Sequence, residues 1–245
     1  MFFLNPAYCQ AALSPRIIEL TSNKQYSHDA ALFTQGFERE GDYLYESSGL
    51  YGASSLTKRH INNIAPLARY QFPDSIFAEG LSLVGDDVYV ISYKEQQGFI
   101  FDKHTLRLKK QFKYTGEGWG LCFDGGTLVM SNGSDTLSWY QPESFKFLHS
   151  RKITEHAQSV DHLNELECHD GFIYVNIWNT PWIVKIDPRN GEVVQRYSLA
   201  NLINQLTKSS EIDIANGITY AGKSKHWLIT GKYWPVILEV KFPDK

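Results

Sequence analysis

One residue in this sequence has the chemistry and the setting for proton transfer, and a lysine stands at a matching strand end. Glu79 sits between Ala78 and Gly80 at the start of a β-like run, and Lys232 follows Thr230-Gly231 at the end of another. A carboxyl held at the start of an innermost strand is partly buried, and burial raises its pKa toward the range useful for acid–base work. Gln35, Trp119, Glu165 and Asn216 occupy the position in the repeat described below that Glu79 occupies; Asn164 is one step upstream of Glu165. Ser48, Tyr93, Asn132 and Trp178 share the strand-end position of Lys232. Few of these residues are aliphatic. Carboxylates, amides, aromatics and a lysine suit a pocket for a small amphipathic substrate. Each also has a structural reading. Glu79 could be paired for stability, Trp119 and Trp178 could pack between sheets, Glu165 and Glu167 could satisfy backbone donors, and Lys232 could lie on the surface.

These positions are equivalent because the chain repeats. Gln35-Gly36-Phe37, Glu79-Gly80-Leu81, Trp119-Gly120-Leu121 and Asn216-Gly217-Ile218 are each followed, five residues after the first glycine, by Gly41, Gly85, Gly125 and Gly222. A degenerate copy, Glu165-Leu166-Glu167 with Gly171, fills the remaining gap. The anchors at 36, 80, 120, 166 and 217 are 44, 40, 46 and 51 residues apart, in the range of propeller blades of roughly 40–50 residues. Each repeat reads as strand, tight turn, strand, with second strands at 43–46, 88–92, 127–131, 172–178 and 226–230. Third strands are expected at 98–102, 137–141, 183–187 and 236–240, and fourth strands at 66–71, 108–112, 147–152 and 193–197. The expected fold is an all-β, five-bladed β-propeller forming one domain over 13–245, rather than an open array or a sandwich. The last repeat lacks an outer strand, and Pro15–Thr21 is expected to supply it and close the ring. Leu199–Ser209 alone reads as helical. In this geometry, first strands begin and second strands end at one mouth of the channel.

Composition narrows the partners. The 245 residues carry a net charge of −3 without a basic block, which argues against nucleic acid. The short cluster Lys103, His104, Arg107, Lys109, Lys110 reads as a solvated outer strand. No apolar run is long enough for a membrane span. The three cysteines give no disulfide framework, and Cys122 and Cys168, at the same offset in adjacent repeats, read as small core residues. No zinc-ligand spacing or phosphate loop is present. His60, His104, His149 and His162 read as surface residues. Residues 1–12, with Phe2-Phe3-Leu4 and Cys9-Gln10-Ala11-Ala12, read as a remnant of an export signal or as a disordered terminus.

At the mouth positions the sequence resembles the plant and bacterial type of glutaminyl-peptide cyclotransferase. The matching stretches are Phe33-Thr34-Gln35-Gly36, Glu46-Ser47-Ser48-Gly49-Leu50-Tyr51-Gly52, Phe77-Ala78-Glu79-Gly80-Leu81 and Gly118-Trp119-Gly120-Leu121. They continue through Leu163-Asn164-Glu165-Leu166-Glu167, Asn176-Ile177-Trp178, Asn216-Gly217-Ile218, and Thr230-Gly231-Lys232 to Trp234-Pro235. The resemblance implies a five-bladed propeller that turns N-terminal glutamine into pyroglutamate and releases ammonia, with no required cofactor and no catalytic zinc. It implies Glu79 as the acid/base group. Gln35, Asn164 and Lys232 become the polar substrate-binding set, with Phe33, Trp119 and Trp178 as aromatic walls. Tyr93 stands where the family has tryptophan, Ala78 where it has glycine, and Asn132 where it often has aspartate. The implied partners are peptides or proteins with N-terminal glutamine, and the implied location is the periplasm or the exterior. A monomer is expected, and a structural calcium in the channel is kept open. Two other readings stand beside this one: a non-catalytic peptide- or glycan-binding propeller, and a calcium-dependent propeller hydrolase with Glu79, Asn132, Asn164 and Asn216 around an ion.

Overall fold

A computed structural model of the chain describes residues 17–208, 210–223 and 225–243. The expected export signal or disordered terminus at 1–12 lies outside the described residues. Four of its sheets are regular four-stranded blades, each antiparallel throughout. Three take their strands consecutively from the chain: Thr34–Glu40 to Ala68–Gln71, Ala78–Val84 to Leu108–Lys113, and Leu121–Phe123 to Lys146–Lys152. The fourth combines Ala215–Tyr220, His226–Gly231 and Val236–Lys241 with the early strand Ser22–Ser27.

The expectation of five like blades is corrected by the remaining strands. They form a seven-stranded sheet of different build, so the regular blades number four. Its core is Leu163–His169, Phe172–Ile177, Trp182–Asp187 and Glu192–Ser198, antiparallel like a blade. Two additions then run parallel to the outermost strand Glu192–Ser198. One is Thr154–Glu155, which carries Gln158–Ser159; the other is Ile17–Glu19. Ring closure is corrected in the same way. Within Pro15–Thr21 the described strand, Ile17–Glu19, joins the seven-stranded sheet, and Ser22–Ser27 is the segment that pairs with Val236–Lys241 of the last blade. The buried Leu20 lies between the two, its amide donating to Ser198 O at 2.9 Å.

Burial follows distance from the axis. The second strand Asp87–Ser92, Asp-Val-Tyr-Val-Ile-Ser, is covered on both faces and almost wholly buried, as its run of β-branched and aromatic residues requires. The outermost strand Lys146–Lys152, with two lysines, an arginine and a histidine, is mostly exposed. Aromatic and aliphatic side chains fill the spaces between sheets; Phe72, Phe99 and Phe101 pack between the first two blades. Innermost strands Thr34–Glu40, Ala78–Val84, Leu121–Phe123, Leu163–His169 and Ala215–Tyr220 pack side by side around the axis. Helix α1, Ala200–Leu206, fills the expected helical insertion. One expectation at the rim fails: Lys103 is buried and bonded to Glu40 at 2.8 Å, so it is not part of a solvated strand.

Candidate functional site

The anchors of the repeat become functional positions because the strand ladder breaks there. Between first and second strands the register slips between Thr34 and Gly36, Ala78 and Leu81, Leu163 and Leu166, and Ala215 and Ile218. A bulge frees a residue from the ladder and re-aims its side chain. Gln35, Glu79, Asn164 and Asn216 lie in these four slips. Glycine at the neighbouring position lets innermost strands touch. A Cβ on Gly80 would lie 2.6 Å from Leu121 N, and one on Gly120 would lie 2.2 Å from Asn164 O. The contact is sealed by a hydrogen bond from Gly80 N to Trp119 O at 2.7 Å.

These strand ends surround a cavity of about 220 Å³. All eight residues expected at a site line it: Glu79, Gln35, Asn164 and Lys232 form its polar part, and Phe33, Tyr93, Trp119 and Trp178 form its walls. Phe77 also lines it and was missed. A usable signal existed, since Phe77 stands two residues before Glu79 as Phe33 stands two before Gln35. The walls form an arc of edge-to-face and tilted rings. It runs from Tyr233 to Phe33 at 5.3 Å, Phe77 at 6.3 Å, Tyr93 at 5.6 Å, Trp119 at 6.2 Å and Trp178 at 6.0 Å. Trp119 is further held by its indole N–H, which donates to Glu117 Oε2 at 3.1 Å.

A directional relay fixes Glu79. Asn216 Nδ2 donates to Gln35 Oε1 at 3.0 Å and to Thr34 O at 3.0 Å. That leaves Gln35 Nε2 to donate to Glu79 Oε1 at 2.9 Å. Burial pushes the Glu79 carboxyl well above the usual range; Lys232 opposes the shift, and Glu95 and Glu117 add to it. Burial lowers the pKa of Lys232, against the pull of Glu79 and Asp213. The lysine ammonium lies 4.3 Å from the centre of the Phe33 ring. The acid is thus biased toward neutrality and the lysine toward losing its proton, inside one cavity. Asn164 lines the cavity, and its Oδ1 is buried without a hydrogen-bond partner among the described residues.

Other singled-out residues do different work. Glu165 accepts from Phe37 N at 3.3 Å and Ile218 N at 2.8 Å, Glu167 from Tyr220 N at 3.0 Å, and Glu38 from Leu83 N at 2.8 Å. These carboxylates pin innermost strands to one another. Burial raises all three pKa values, Glu38 to about 8. Their oxygens accept from backbone amides, and their charges lie close enough that Glu38 adds to the rise in Glu167 and both add to that in Glu165. Among the described residues no group of three or more His, Cys, Asp or Glu is placed to hold a metal ion. Asn132 is exposed and its Oδ1 accepts from Ser134, so it does not join Glu79 at the site. Ser48 Oγ accepts from Phe33 N at 2.9 Å, holding the start of that wall. Cys122 and Cys168 are not separate core thiols: they form a disulfide between adjacent innermost strands, Cα to Cα 5.5 Å. Sequence reading also missed His28, buried with Nε2 at 2.9 Å from Glu46 Oε1 and Nδ1 at 2.6 Å from Trp234 O. Thr34 Oγ1 donates to the same Glu46 oxygen at 2.7 Å, which ties the closing segment to the strand carrying Gln35.

A family model described as glutamine cyclotransferase matches residues 4–242. A glutaminyl-peptide cyclotransferase of Arabidopsis thaliana is 33% identical over 233 residues, covering 94% of this chain and 73% of the relative. The crystal structure of Myxococcus xanthus glutaminyl cyclase superposes with a TM-score of 0.87 at 30% identity, covering 93% of this chain and 97% of that one. Hydrazine synthase of Kuenenia stuttgartiensis, at 13% identity and a TM-score of 0.52, covers 82% of this chain and 55% of its own length. That last likeness concerns the fold alone.

Proposed function

This chain belongs to the glutamine cyclotransferase family and converts N-terminal glutaminyl residues of peptides to pyroglutamate, and we propose that Glu79 carries the proton in that reaction. The observation that supports this role is the buried Glu79 carboxyl held by Gln35 at 2.9 Å in the same cavity as Lys232. The α-amine attacks the γ-amide carbon of its own residue. A C–N bond forms as the ring closes, the old C–N bond breaks, and ammonia leaves. Because the reaction is intramolecular, the protein mainly has to hold the bent conformer and exclude water. Phe33, Tyr93, Trp119 and Trp178 supply that enclosure in our reading.

The ionised Glu79 takes a proton from the attacking amine and returns it to the departing nitrogen. The Lys232 ammonium steadies the negative charge that develops on the γ-oxygen. Asn164 Oδ1, buried without a partner among the described residues, accepts from an N–H of the bound glutamine. Gln35 acts through Glu79, by fixing which carboxylate oxygen faces the cavity. Tyr93 keeps an aromatic wall and adds a hydroxyl to it. The Cys122–Cys168 bridge supports an oxidising setting, and we place the protein in the periplasm or outside the cell. A monomer that also accepts whole proteins with an N-terminal glutamine completes the proposal.

Glu79→Gln tests it. The amide keeps the acceptor oxygen for Gln35 and removes the titrating group. Ammonia release from a glutaminyl tetrapeptide should fall by about 10²–10⁴-fold, the usual share of a positioned acid/base group, with an unchanged melting temperature or a higher one. A folded variant that turns over within about threefold of the parent removes Glu79 from the mechanism; the threefold margin is set well below the smallest loss expected from that share.

A further inference from the structure

The aromatic arc around the cavity is open on one side, between Trp178 of the seven-stranded sheet and Tyr233 of the last blade. A second cavity of about 400 Å³ lies in that sector. Its floor and sides are Pro181, Ile203, Ile212 and Ile214, with Asn179 and Asn204 at its edge. It is at the same end of the molecule as the site. Asn179–Pro181 follows Trp178 directly where a second strand finishes, and Ile212–Ala215 leads into the strand that carries Asn216. The two cavities share a wall: Asp213 N donates to Lys232 O at 3.0 Å, and Lys232 N donates to Ile214 O at 3.0 Å. Trp234 Nε1 holds the Asp213 carbonyl at 2.8 Å, so this wall is fixed. Helix α1, inserted between the two sheets, forms the far side through Ile203 and Asn204.

We propose that this groove is the subsite for the residues that follow the N-terminal glutamine, and that it selects peptides with apolar side chains at the second and third positions. The inference rests on the reading of the aromatic cavity as the cyclising site. With about 220 Å³, that cavity encloses the glutamine and little more, so the rest of a peptide has to leave it. Rings bar the way along the arc from Tyr233 round to Trp178. In the open sector the chain meets half-buried isoleucines and a proline, whose unfilled surface gains by covering an apolar side chain. The Asn179 and Asn204 edge offers hydrogen-bonding groups for the peptide backbone.

The test compares ammonia release from glutamine amide, Gln-Leu-Leu-Ala amide and Gln-Ser-Ser-Ala amide. The leucine peptide should exceed the serine peptide in kcat/KM by at least about tenfold, the scale of apolar discrimination in a fitted pocket. Asn204→Trp, a change at an exposed position that fills the groove, should abolish that preference and leave glutamine amide unaffected. Ile203→Asp should do the same by making the groove polar. Equal kcat/KM for the two tetrapeptides in the parent protein overturns the proposal. So does a leucine preference that survives both folded variants, or an equal loss on all three substrates. If the parent releases no ammonia even from glutamine amide, the reading of the aromatic cavity itself fails, and the groove loses its argument with it.

Discussion

The relay from Asn216 through Gln35 to Glu79 predicts a change in pH dependence from a residue that does not line the cavity. Asn216→Ala deletes the donor to Gln35 Oε1 and Thr34 O, two bonds of 3.0 Å in the buried interior. Gln35 can then turn its amide and present oxygen to Glu79 in place of the N–H now at 2.9 Å. A hydrogen bond to a charged group is worth about 1.5–3 kcal/mol. Losing it from the ionised carboxylate raises the Glu79 pKa further. Glu79 works as a base only when ionised, so the rising limb of kcat/KM against pH should move to higher pH. Two acceptors left without donors cost about 1–3 kcal/mol each, partly offset because the unpartnered Asn216 Oδ1 goes too. The assay is ammonia release from one glutaminyl peptide at closely spaced pH values, beside a melting curve for each protein. A folded Asn216→Ala protein whose limb coincides with that of the parent refutes the relay, even if its rate is lower throughout.

Two more outcomes follow from the strands around the axis. The folded pKa of Glu38, about 8, lies above its unfolded value of 4.5, so the native state holds more protons between those limits and stability falls as pH rises through that window; Glu38→Gln should flatten the fall in melting temperature measured from pH 5 to 8. Opening the Cys122–Cys168 bridge, which spans 46 residues, should cost up to about 4 kcal/mol of stability, seen as a drop of roughly 10 °C in a reductant-treated or double-serine protein; an unchanged melting temperature counts against a structural role.

The mouth was readable because its residues recur at a fixed offset, and an offset survives whatever the sheets do further out. The same logic contained the disulfide: Cys122 and Cys168 share an offset, and equal offsets in adjacent innermost strands are neighbours in space. Reading them as core thiols ignored that adjacency. The outer additions left no comparable trace. Thr154–Glu155 and Gln158–Ser159 are joined by His156 and Ala157 with φ of 50° and 63°, a turn that ordinarily calls for Asn-Gly. Ring closure was misplaced because Ile17-Ile18 has stronger β propensity than Ser22–Ser27, whereas an edge strand at the rim is free to be polar. The slips in register at Gln35, Glu79, Asn164 and Asn216 fall at the repeat anchors, but the residue types there do not say that the ladder breaks, which is what turns strand residues into site residues. His28 and Glu46 went unseen because nothing local marks two residues that meet only when the ring closes.

The closing segment touches two sheets in succession, first beside Glu192–Ser198 and then beside Val236–Lys241, both at the outer rim. The rim therefore closes the hoop, and the bonds at the hub are left to set the geometry of the mouth. The axis of this molecule carries what a core ordinarily does not: acids pushed toward neutrality by burial, a lysine inclined to give up its proton, and an amide oxygen without a donor among the described residues. The perimeter closes the ring, and bonds between the innermost strands, the Cys122–Cys168 bridge among them, brace a reactive centre from within.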